Sequence, residues 1–249
     1  MATFVKKKSI PRSVETDAGI LSASSAWPVQ EAYKALRTNI TFSMPGSGCK
    51  VIGISSAFAH DGKSINAVNM AIAFGQIGKK VLLMDCDLRL STCASKLGIP
   101  GVPGLSDILV GEVQFNEALH KSEKHGIHVL PAGNIPPDPT WLLQSDQMKT
   151  LIELMKRYYD YIFIDLPPVT TVADASIMSK YIDGFLLVVR HQVTELRAIN
   201  DAIAQLKFAD AKIIGFVYND VTQEGHRYYR HYYKNYYREY EKGAAGKKQ

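Results

Sequence analysis

The sequence predicts a single α/β domain built on a doubly wound, mainly parallel sheet with helices on both faces. Short apolar runs recur along the 249 residues at the spacing of strands that alternate with helices. The runs are continuous rather than alternating, which is typical of strands buried on both faces of a parallel sheet. They occupy residues 51–55, 81–85, 127–130, 161–165, 185–189 and 213–218.

Helical patterns fill the intervals between these runs. Residues 195–207 place their apolar side chains on one face, and residues 64–77 are apolar on most sides, so we expect a helix in each interval. The proline-rich stretch 129–143 predicts a loop that leads into a helix. No internal repeat and no second domain are indicated.

The positive charge of the chain is concentrated at its C-terminal end. The net charge is +5, from 29 Lys and Arg against 24 Asp and Glu, and residues 227–249 hold seven basic and two acidic residues. The remainder is neutral, which argues against a nucleic-acid-coating domain with basic charge spread over its surface. We predict an exposed N-terminal arm over 1–26, the α/β domain over 27–226, and a basic tail over 227–249.

Cysteine usage and hydropathy indicate a cytoplasmic protein. Cys49, Cys86 and Cys93 are odd in number and lack C-x-x-C spacing, so neither a disulfide framework nor a zinc site is indicated. The basic cluster near the N-terminus has no apolar run behind it, so we do not expect a signal peptide. The longest strongly apolar stretches, such as 185–189, are too short to span a bilayer. Any membrane association is therefore expected through a partner or through surface contacts.

A phosphate-binding loop follows the first strand. Gly62-Lys63-Ser64 stands between that strand and a helix and matches the end of a P-loop, GxxxxGKS. In such a loop, backbone N–H groups face the phosphates, the lysine reaches the β- and γ-phosphates, and the serine hydroxyl binds Mg²⁺. The first glycine of the pattern is Ala57 here. His60 occupies a position where glycine is common, and histidine tolerates positive φ better than most other residues.

We therefore expect a nucleotide at this loop rather than a βα turn with an incidental Gly-Lys-Ser. A dinucleotide fold is disfavoured because no GxGxxG follows the strand. The residues expected to contact the nucleotide here are Ala59, His60, Asp61, Gly62, Lys63, Ser64 and Ile65.

Carboxylates stand at the ends of two predicted strands. Asp85 ends the run 81–85, and Asp87 lies two residues further on, hence on the same side if the strand continues. Asp165 follows four apolar residues in the Walker B arrangement. Each alone is compatible with a solvated turn residue. Together with the phosphate loop, and in this chain order, they indicate a site for Mg²⁺ and a nucleoside triphosphate.

These motifs together resemble those of the bacterial tyrosine kinases, the P-loop autokinases of capsule and exopolysaccharide synthesis. The most specific part is Asp85-x-Asp87-x-Arg89, which lies between the phosphate loop and the Walker B run 162–165. The resemblance covers roughly residues 27–240. It is to the cytoplasmic half of the split form, whose membrane-spanning activator is a separate protein.

One departure from the family pattern, and one difference from a related group, bear on this resemblance. The family usually has Pro-Gly or a near variant where this chain has Ala59-His60. The related partitioning and division ATPases carry a signature lysine at the position of Phe58, which counts against them.

After the last strand, Asn219 resembles a position that contacts the base.

The resemblance implies that the chain transfers the γ-phosphoryl group of ATP to tyrosines, with ATP and Mg²⁺ as cofactors. The implied catalytic residues are Lys63, Asp85, Asp87, Arg89 and Asp165, and the implied metal ligands are Ser64, Asp85 and Asp165. Lys63 neutralises phosphate charge, and Asp87 accepts the phenol proton, with an exchange of roles with Asp85 left open. Arg89 orients the acidic pair or contacts phosphate.

Glu31-x-x-Lys34-x-x-Arg37 has two interpretations. It is similar to the oligomerisation motif ExxRxxR of the same family, with lysine in place of the first arginine. Locally, it is a solvated helix face with a weak Glu31–Lys34 pair. With the resemblance, a contact between subunits is the favoured interpretation, weakened because lysine lacks the bidentate fork of arginine.

Seven tyrosines alternate with basic residues in the tail. They are Tyr228, Tyr229, Tyr232, Tyr233, Tyr236, Tyr237 and Tyr240. The tail alone is compatible with an amphipathic helix docked by its aromatic face, with stacking on single-stranded nucleic acid, or with binding to an anionic lipid surface. Beside an ATP site, and with the resemblance, the tyrosines are the implied phosphoacceptors.

The resemblance also implies partners and a place of action. The chain is expected to form a homo-oligomer, for which a ring is one arrangement, so that the tail of one subunit enters a neighbour's site. A separate transmembrane activator is expected to recruit it to the inner face of the membrane, and other proteins are further candidate substrates. No nucleic-acid partner is expected. The competing hypothesis is a non-kinase P-loop ATPase of the partitioning or division type, whose basic aromatic tail binds lipid or nucleic acid.

Overall fold

All six apolar runs become strands of one sheet in the computed structural model, which describes residues 19–221. A seventh, short strand joins at one edge. The strands are β1 (Lys50–Ser56), β2 (Val81–Asp85), β3 (His120–Ser122), β4 (Ile127–Leu130), β5 (Tyr161–Asp165), β6 (Gly184–Arg190) and β7 (Ile213–Asn219). Their order across the sheet is β3-β4-β2-β5-β1-β6-β7, and only the β3–β4 pair is antiparallel. The predicted fold class is therefore confirmed.

Helices occupy the predicted intervals, with bounds shifted by one or two residues. They are α1 (Trp27–Ser43), α2 (Lys63–Gly75), α3 (Cys93–Leu97), α4 (Leu105–Leu109), α5 (Phe115–Ala118), α6 (Pro139–Leu143), α7 (Asp146–Met155), α8 (Asp174–Met178) and α9 (Leu196–Phe208), with a 3₁₀ turn at Ser179–Tyr181. Over the range 19–221, none of them has both the length and the apolarity to cross a bilayer.

The apolar core lies on both faces of the sheet. On one face, α2 is buried along almost its whole length and packs on the side chains of β1 and β5, among them Ile52, Ile54 and Phe163. On the other face, α7, α8 and α9 cover the alternate side chains of the same strands. Burial on both faces explains why the strand sequences are continuously apolar.

The expected exposed arm over 1–26 is wrong for two of the residues that the structure describes. Ile20 and Leu21 are buried and pack with the α2 cluster. The Leu21 backbone N–H donates to Asn69 Oδ1, and Asn69 Nδ2 donates to the Gly19 carbonyl, both at 2.8 Å. An asparagine on α2 thus fixes this segment, a contact between residues 48 to 50 apart that local periodicity does not indicate. The other predicted boundaries stay predictions, since residues 1–18 and 222–249 lie outside the described range.

The sheet also brings the candidate site residues together. Parallel strands present their carboxyl ends at one edge, where ligands of such folds bind. Asp85 and Asp165 are direct neighbours there, because β2 and β5 pair in register with these two residues opposite each other. The phosphate loop follows β1, which is the next strand of the sheet.

Burial within α9 yields a matched pair of substitutions. Leu206 is 0% exposed, whereas Phe208, two residues on, is 96% exposed. We expect Leu206→Ala to lower the free energy of unfolding by about 2–5 kcal/mol, because it leaves a cavity in a packed core. Phe208→Ala should change it by less than about 0.5 kcal/mol. Urea denaturation followed by circular dichroism measures both, and equal losses would contradict the described packing of α9.

Candidate active site

The phosphate loop takes its shape from two residues with positive φ. His60 has φ = 66° and Gly62 has φ = 98°, and α2 begins immediately afterwards at Lys63. A histidine therefore adopts the backbone conformation for which glycine is more common at this position. A Cβ atom at Gly62 would also collide with the side-chain amide of Asn219, which would have to move.

Asp61 holds the loop from within and is buried. Its carboxylate accepts the Phe58 N–H at 3.0 Å and the Thr194 hydroxyl at 2.9 Å. Asn219 Nδ2 donates to the Asp61 carbonyl at 2.9 Å. The Arg190 guanidinium donates to the His60 carbonyl at 3.3 Å. Residues from β6, β7 and the following loops thus fix the phosphate loop before any nucleotide binds. Asn219 lies beside this loop, while its contact with a base remains a prediction.

Lys63 is buried among acidic residues. Its Nζ lies 2.7 Å from Asp87 Oδ2, 4.0 Å from Asp165 Oδ1 and 3.3 Å from Ser64 Oγ. Burial by itself lowers the pKa of the lysine, but the charges of Asp165 and Asp87 together outweigh it, and the pKa is raised. The lysine is therefore charged and serves as the counter-ion of the carboxylates.

Asp85 and Asp165 are completely buried side by side. Asp85 accepts the Asp87 and Cys93 backbone N–H groups, both at 3.1 Å. Burial, and then the charge of Asp165, raise the pKa of Asp85 to about 7. The pKa of Asp165 is also raised by burial, although Lys63 and a hydrogen bond from Ser64 oppose the shift. Keeping both carboxylates charged is therefore unfavourable unless a cation binds between them.

The residues present fit the Mg²⁺ that a phosphate loop requires. Within the described part of the chain, Asp165 Oδ1 is buried and accepts no hydrogen bond, so one carboxylate oxygen is available to a cation. Carboxylate and hydroxyl oxygens are the hard donors that Mg²⁺ prefers. Three carboxylates face one ammonium here, which leaves an excess of negative charge in a buried site. Asp85, Asp165 and Ser64, the expected metal ligands, do lie together.

Arg89 does not orient the acidic pair, contrary to one of its two expected roles. Its guanidinium donates to both oxygens of Asp174, at 3.1 and 3.3 Å, and to the Thr140 hydroxyl at 3.1 Å. Asp174 is the first residue of α8 and is buried, so it attracts the nearest cation. The arginine thereby joins the loop after β2 to α6 and α8. Its expected contact with phosphate stays untested.

Other predicted residues take the following places. Ala59 is exposed at the tip of the phosphate loop, whereas the Ile65 side chain packs with the apolar α2 cluster, so any contact of Ile65 with nucleotide is left to its backbone. On α1, Lys34 and Glu31 form an exposed ion pair at 2.7 Å, the local interpretation of that motif. Arg37 donates to the Ala73 carbonyl of α2 at 2.6 Å, where a cation suits the helix C-terminus. Their role in oligomerisation stays a prediction.

Four residues of the site were not found in the sequence. Cys93, Thr194 and Arg190 contact the carboxylates or the phosphate loop, and Asp174 holds Arg89. Apart from the contact of Cys93 with Asp85, 8 residues away, the partners of these contacts lie 72 to 133 residues away in the chain. An aspartate at a helix start and an isolated cysteine are common, and neither signals a site without the fold.

Comparisons with known proteins identify the family of the chain. The family model of the AAA domain matches residues 49–214. The tyrosine-protein kinase YwqD of Bacillus subtilis is 36% identical over 199 residues, which is 80% of this chain and 84% of that protein.

Solved structures of tyrosine kinases and of a division protein have a similar fold. The kinase domain of the Escherichia coli tyrosine kinase ETK has a TM-score of 0.74 and 29% identity, covering 78% of each chain. The septum site-determining protein MinD of Pyrococcus horikoshii, complexed with Mg-ADP, has a TM-score of 0.57 and 26% identity, covering 68% of this chain and 69% of its own. The fold is therefore shared with both groups, and the similarity to the kinase domain is greater.

The raised pKa of Asp85 leads to a prediction for stability. An aspartate in an unfolded chain has a pKa near 3.9, so the folded state binds a proton more tightly and loses stability as the pH rises from about 4 through about 7. Asp85→Asn removes this loss. Without divalent cations, we expect the variant to exceed the parent at pH 8 by on the order of 1–3 kcal/mol and the difference to shrink towards pH 4.

Urea denaturation at several pH values in the presence of a chelator measures this difference. Added Mg²⁺ should stabilise the parent at pH 8 more than it stabilises Asp85→Asn. A difference independent of pH would contradict the raised pKa of this carboxyl.

Proposed function

The chain belongs to the AAA-domain family and, within it, to the bacterial tyrosine-protein kinases, and we propose that it is an ATP-dependent autokinase of its own C-terminal tyrosines. The observation that carries the proposal is the cluster of Lys63 with Asp85, Asp87 and Asp165 beside the phosphate loop. Phosphoryl transfer requires positioning and charge neutralisation more than covalent chemistry. A buried lysine, two carboxylates suited to Mg²⁺ and a third carboxylate meet that requirement.

Each residue of the cluster receives a role. Lys63 would move from Asp87 to the β- and γ-phosphates, and Ser64, Asp85 and Asp165 would hold Mg²⁺ directly or through water. Bound Mg²⁺ neutralises the charge that develops on the transferring phosphoryl group. ATP and Mg²⁺ are therefore the proposed cofactors, and the backbone N–H groups of residues 59–65 line the phosphates.

Asp87 is better suited than Asp85 to accept the phenol proton. Both oxygens of Asp85 accept backbone N–H groups and are fixed. One oxygen of Asp87 accepts the Leu90 N–H at 3.0 Å, whereas the other is bound to Lys63. When Lys63 moves to the phosphates, that second oxygen becomes free to accept a hydrogen bond from an incoming phenol. This supports the role assigned to Asp87 by resemblance.

The acceptors we propose are the tail tyrosines, and all seven lie outside the described residues. Described structure ends at Val221, two residues after β7, whereas Asp87 follows β2 four strand positions away. Four spacings of about 4.8 Å make about 19 Å. The seven residues from Val221 to Tyr228 span at most about 25 Å. The first tyrosine can therefore span this distance, and the later ones can do so more easily, so the length of the tail permits transfer within one subunit as well. We propose transfer between subunits of a homo-oligomer on the family resemblance.

The proposed setting is the control of capsular or exopolysaccharide synthesis and export. One relative is a putative tyrosine-protein kinase in the cps region of Klebsiella pneumoniae, which is 31% identical; this chain covers 28% of that protein. We propose that a separate membrane-spanning activator recruits this chain to the inner face of the membrane. The Glu31, Lys34 and Arg37 face of α1 is the proposed contact between subunits.

Mass spectrometry after incubation with Mg-ATP tests autophosphorylation. We expect phosphotyrosine among residues 228–240, alone or with a peptide from the cytoplasmic part of an activator. Lys63→Met should lower the rate at least about 100-fold, because it removes a charge that stabilises the transition state. If neither condition yields phosphotyrosine in this segment, the autokinase proposal is wrong.

Mixing two variants tests transfer between subunits. Lys63→Met supplies an intact tail without a working site, and a chain with all seven tail tyrosines changed to Phe supplies a working site without acceptors. We expect phosphotyrosine on the Lys63→Met chain in the mixture and not in either variant alone. Phosphorylation only in the unmixed parent would show that transfer occurs within one subunit.

A further inference from the structure

Cys93 is a buried thiol that the proposed phosphoryl transfer does not use. It is the first residue of α3 and is completely buried. Its backbone N–H donates to Asp85 Oδ2 at 3.1 Å, and its Sγ donates to Asp165 Oδ2 at 3.4 Å. One residue therefore contacts both carboxylates that are suited to a cation.

The three side chains have the spacing of ligands to a single metal ion. One ligand atom each from Asp85, Cys93 and Asp165 lies within 4.8 Å of the other two. Zinc bonds of about 2.3 Å to sulfur and about 2.0 Å to oxygen, meeting at a tetrahedral angle, place the two atoms about 3.5 Å apart. The Cys93 Sγ to Asp165 Oδ2 distance of 3.4 Å agrees with this value.

A second observation points to a cation independently of the cysteine. Within residues 19–221, Asp165 Oδ1 is buried and accepts no hydrogen bond. The nearest cation is Lys63 Nζ, at 4.0 Å, and that ammonium is closer to Asp87, at 2.7 Å. A carboxylate oxygen in this state gains more from a metal ion than an oxygen that is already hydrogen-bonded.

We propose that, without nucleotide, this site binds a thiophilic divalent cation of the Zn²⁺ class through Cys93, Asp85 and Asp165. The cation forms a bond to Cys93 Sγ, and the thiol proton leaves to solvent, so the thiolate, two carboxylates and a water complete four ligands. Mg²⁺ takes oxygen ligands and does not compete for the sulfur. The inference uses the proposed Mg²⁺ carboxylates but does not depend on tyrosine transfer.

Mutual exclusion with Mg²⁺–nucleotide follows from the shared carboxylates. A tetrahedral ion that uses an oxygen of both Asp85 and Asp165 leaves neither in place for the ion beside the phosphates. Lys63 keeps its partner Asp87 in the zinc form, so the charge of the lysine remains compensated. We therefore expect the zinc form to be unable to take up Mg²⁺ and ATP.

Cd²⁺ titration of the full chain tests the site, because Cd²⁺–thiolate bonds absorb in the ultraviolet. Cys49, the half-buried thiol outside the set, is first replaced by Ser to remove an accessible competitor. We expect one Cd²⁺ per chain with a charge-transfer band, displacement of Cd²⁺ by Zn²⁺, and loss of the band on adding Mg²⁺ with ADP. Cys93→Ser should abolish the band and weaken Zn²⁺ binding at least about 10-fold.

Two further variants keep the test decisive. Cys86→Ser alters a buried thiol next to Asp85 that is not one of the three ligands, and it should retain the band. Asp165→Asn keeps the thiol and relieves a buried charge, and it should weaken Cd²⁺ binding at least about 10-fold even if Cys93→Ser fails to fold.

A band that persists in Cys93→Ser, or that Mg²⁺ with ADP leaves unchanged, would overturn the inference. No ATP is present in the titration, so failure of the band leaves the autokinase proposal intact. Conversely, absence of phosphotyrosine would leave the metal site intact.

Discussion

The pairing of one buried ammonium with three buried carboxylates is the interaction on which the site depends. Lys63 enters at the start of α2, Asp85 and Asp87 follow β2, and Asp165 ends β5. Removing the cation of such a buried cluster typically costs about 3–5 kcal/mol, because the carboxylates are left uncompensated. The register of β2 and β5 sets Asp85 beside Asp165, and the phosphate loop has to place Lys63 next to them. Hydrogen bonds around the carboxylates hold this arrangement.

The cost of these charges is also what makes the site responsive. Without nucleotide, Lys63 is the counter-ion of Asp87. The phosphates of a bound nucleotide would attract it more strongly. In the proposed mechanism, its departure frees Asp87, and a bound Mg²⁺ would compensate the charges of Asp85 and Asp165. The movement of Lys63 from Asp87 to the phosphates would therefore do two things. It would neutralise phosphate charge, and it would leave Asp87 free to accept a proton.

Local sequence patterns predicted the parts of the site that belong to single elements. The apolar runs before Asp85 and Asp165 identified β2 and β5, and Gly62-Lys63-Ser64 identified the start of α2. Contacts between distant segments were not predictable in this way. The direction of Arg89 depends on Asp174, 85 residues on, and the burial of Leu21 depends on Asn69, 48 residues on. Strand β3 was missed because its residues are polar, partly exposed and paired only at the edge of the sheet.

Calorimetry of Mg²⁺ and ADP binding tests the central claim, which is that cations compensate a buried carboxyl pair at a cost. With a pKa of about 7, Asp85 is partly protonated near neutral pH, and a bound cation lowers that pKa. Binding at pH 7 in buffers with different ionisation enthalpies should therefore release a fraction of a proton, and Asp85→Asn should release less. Equal binding enthalpies in all buffers, for the parent and the variant alike, would contradict the account.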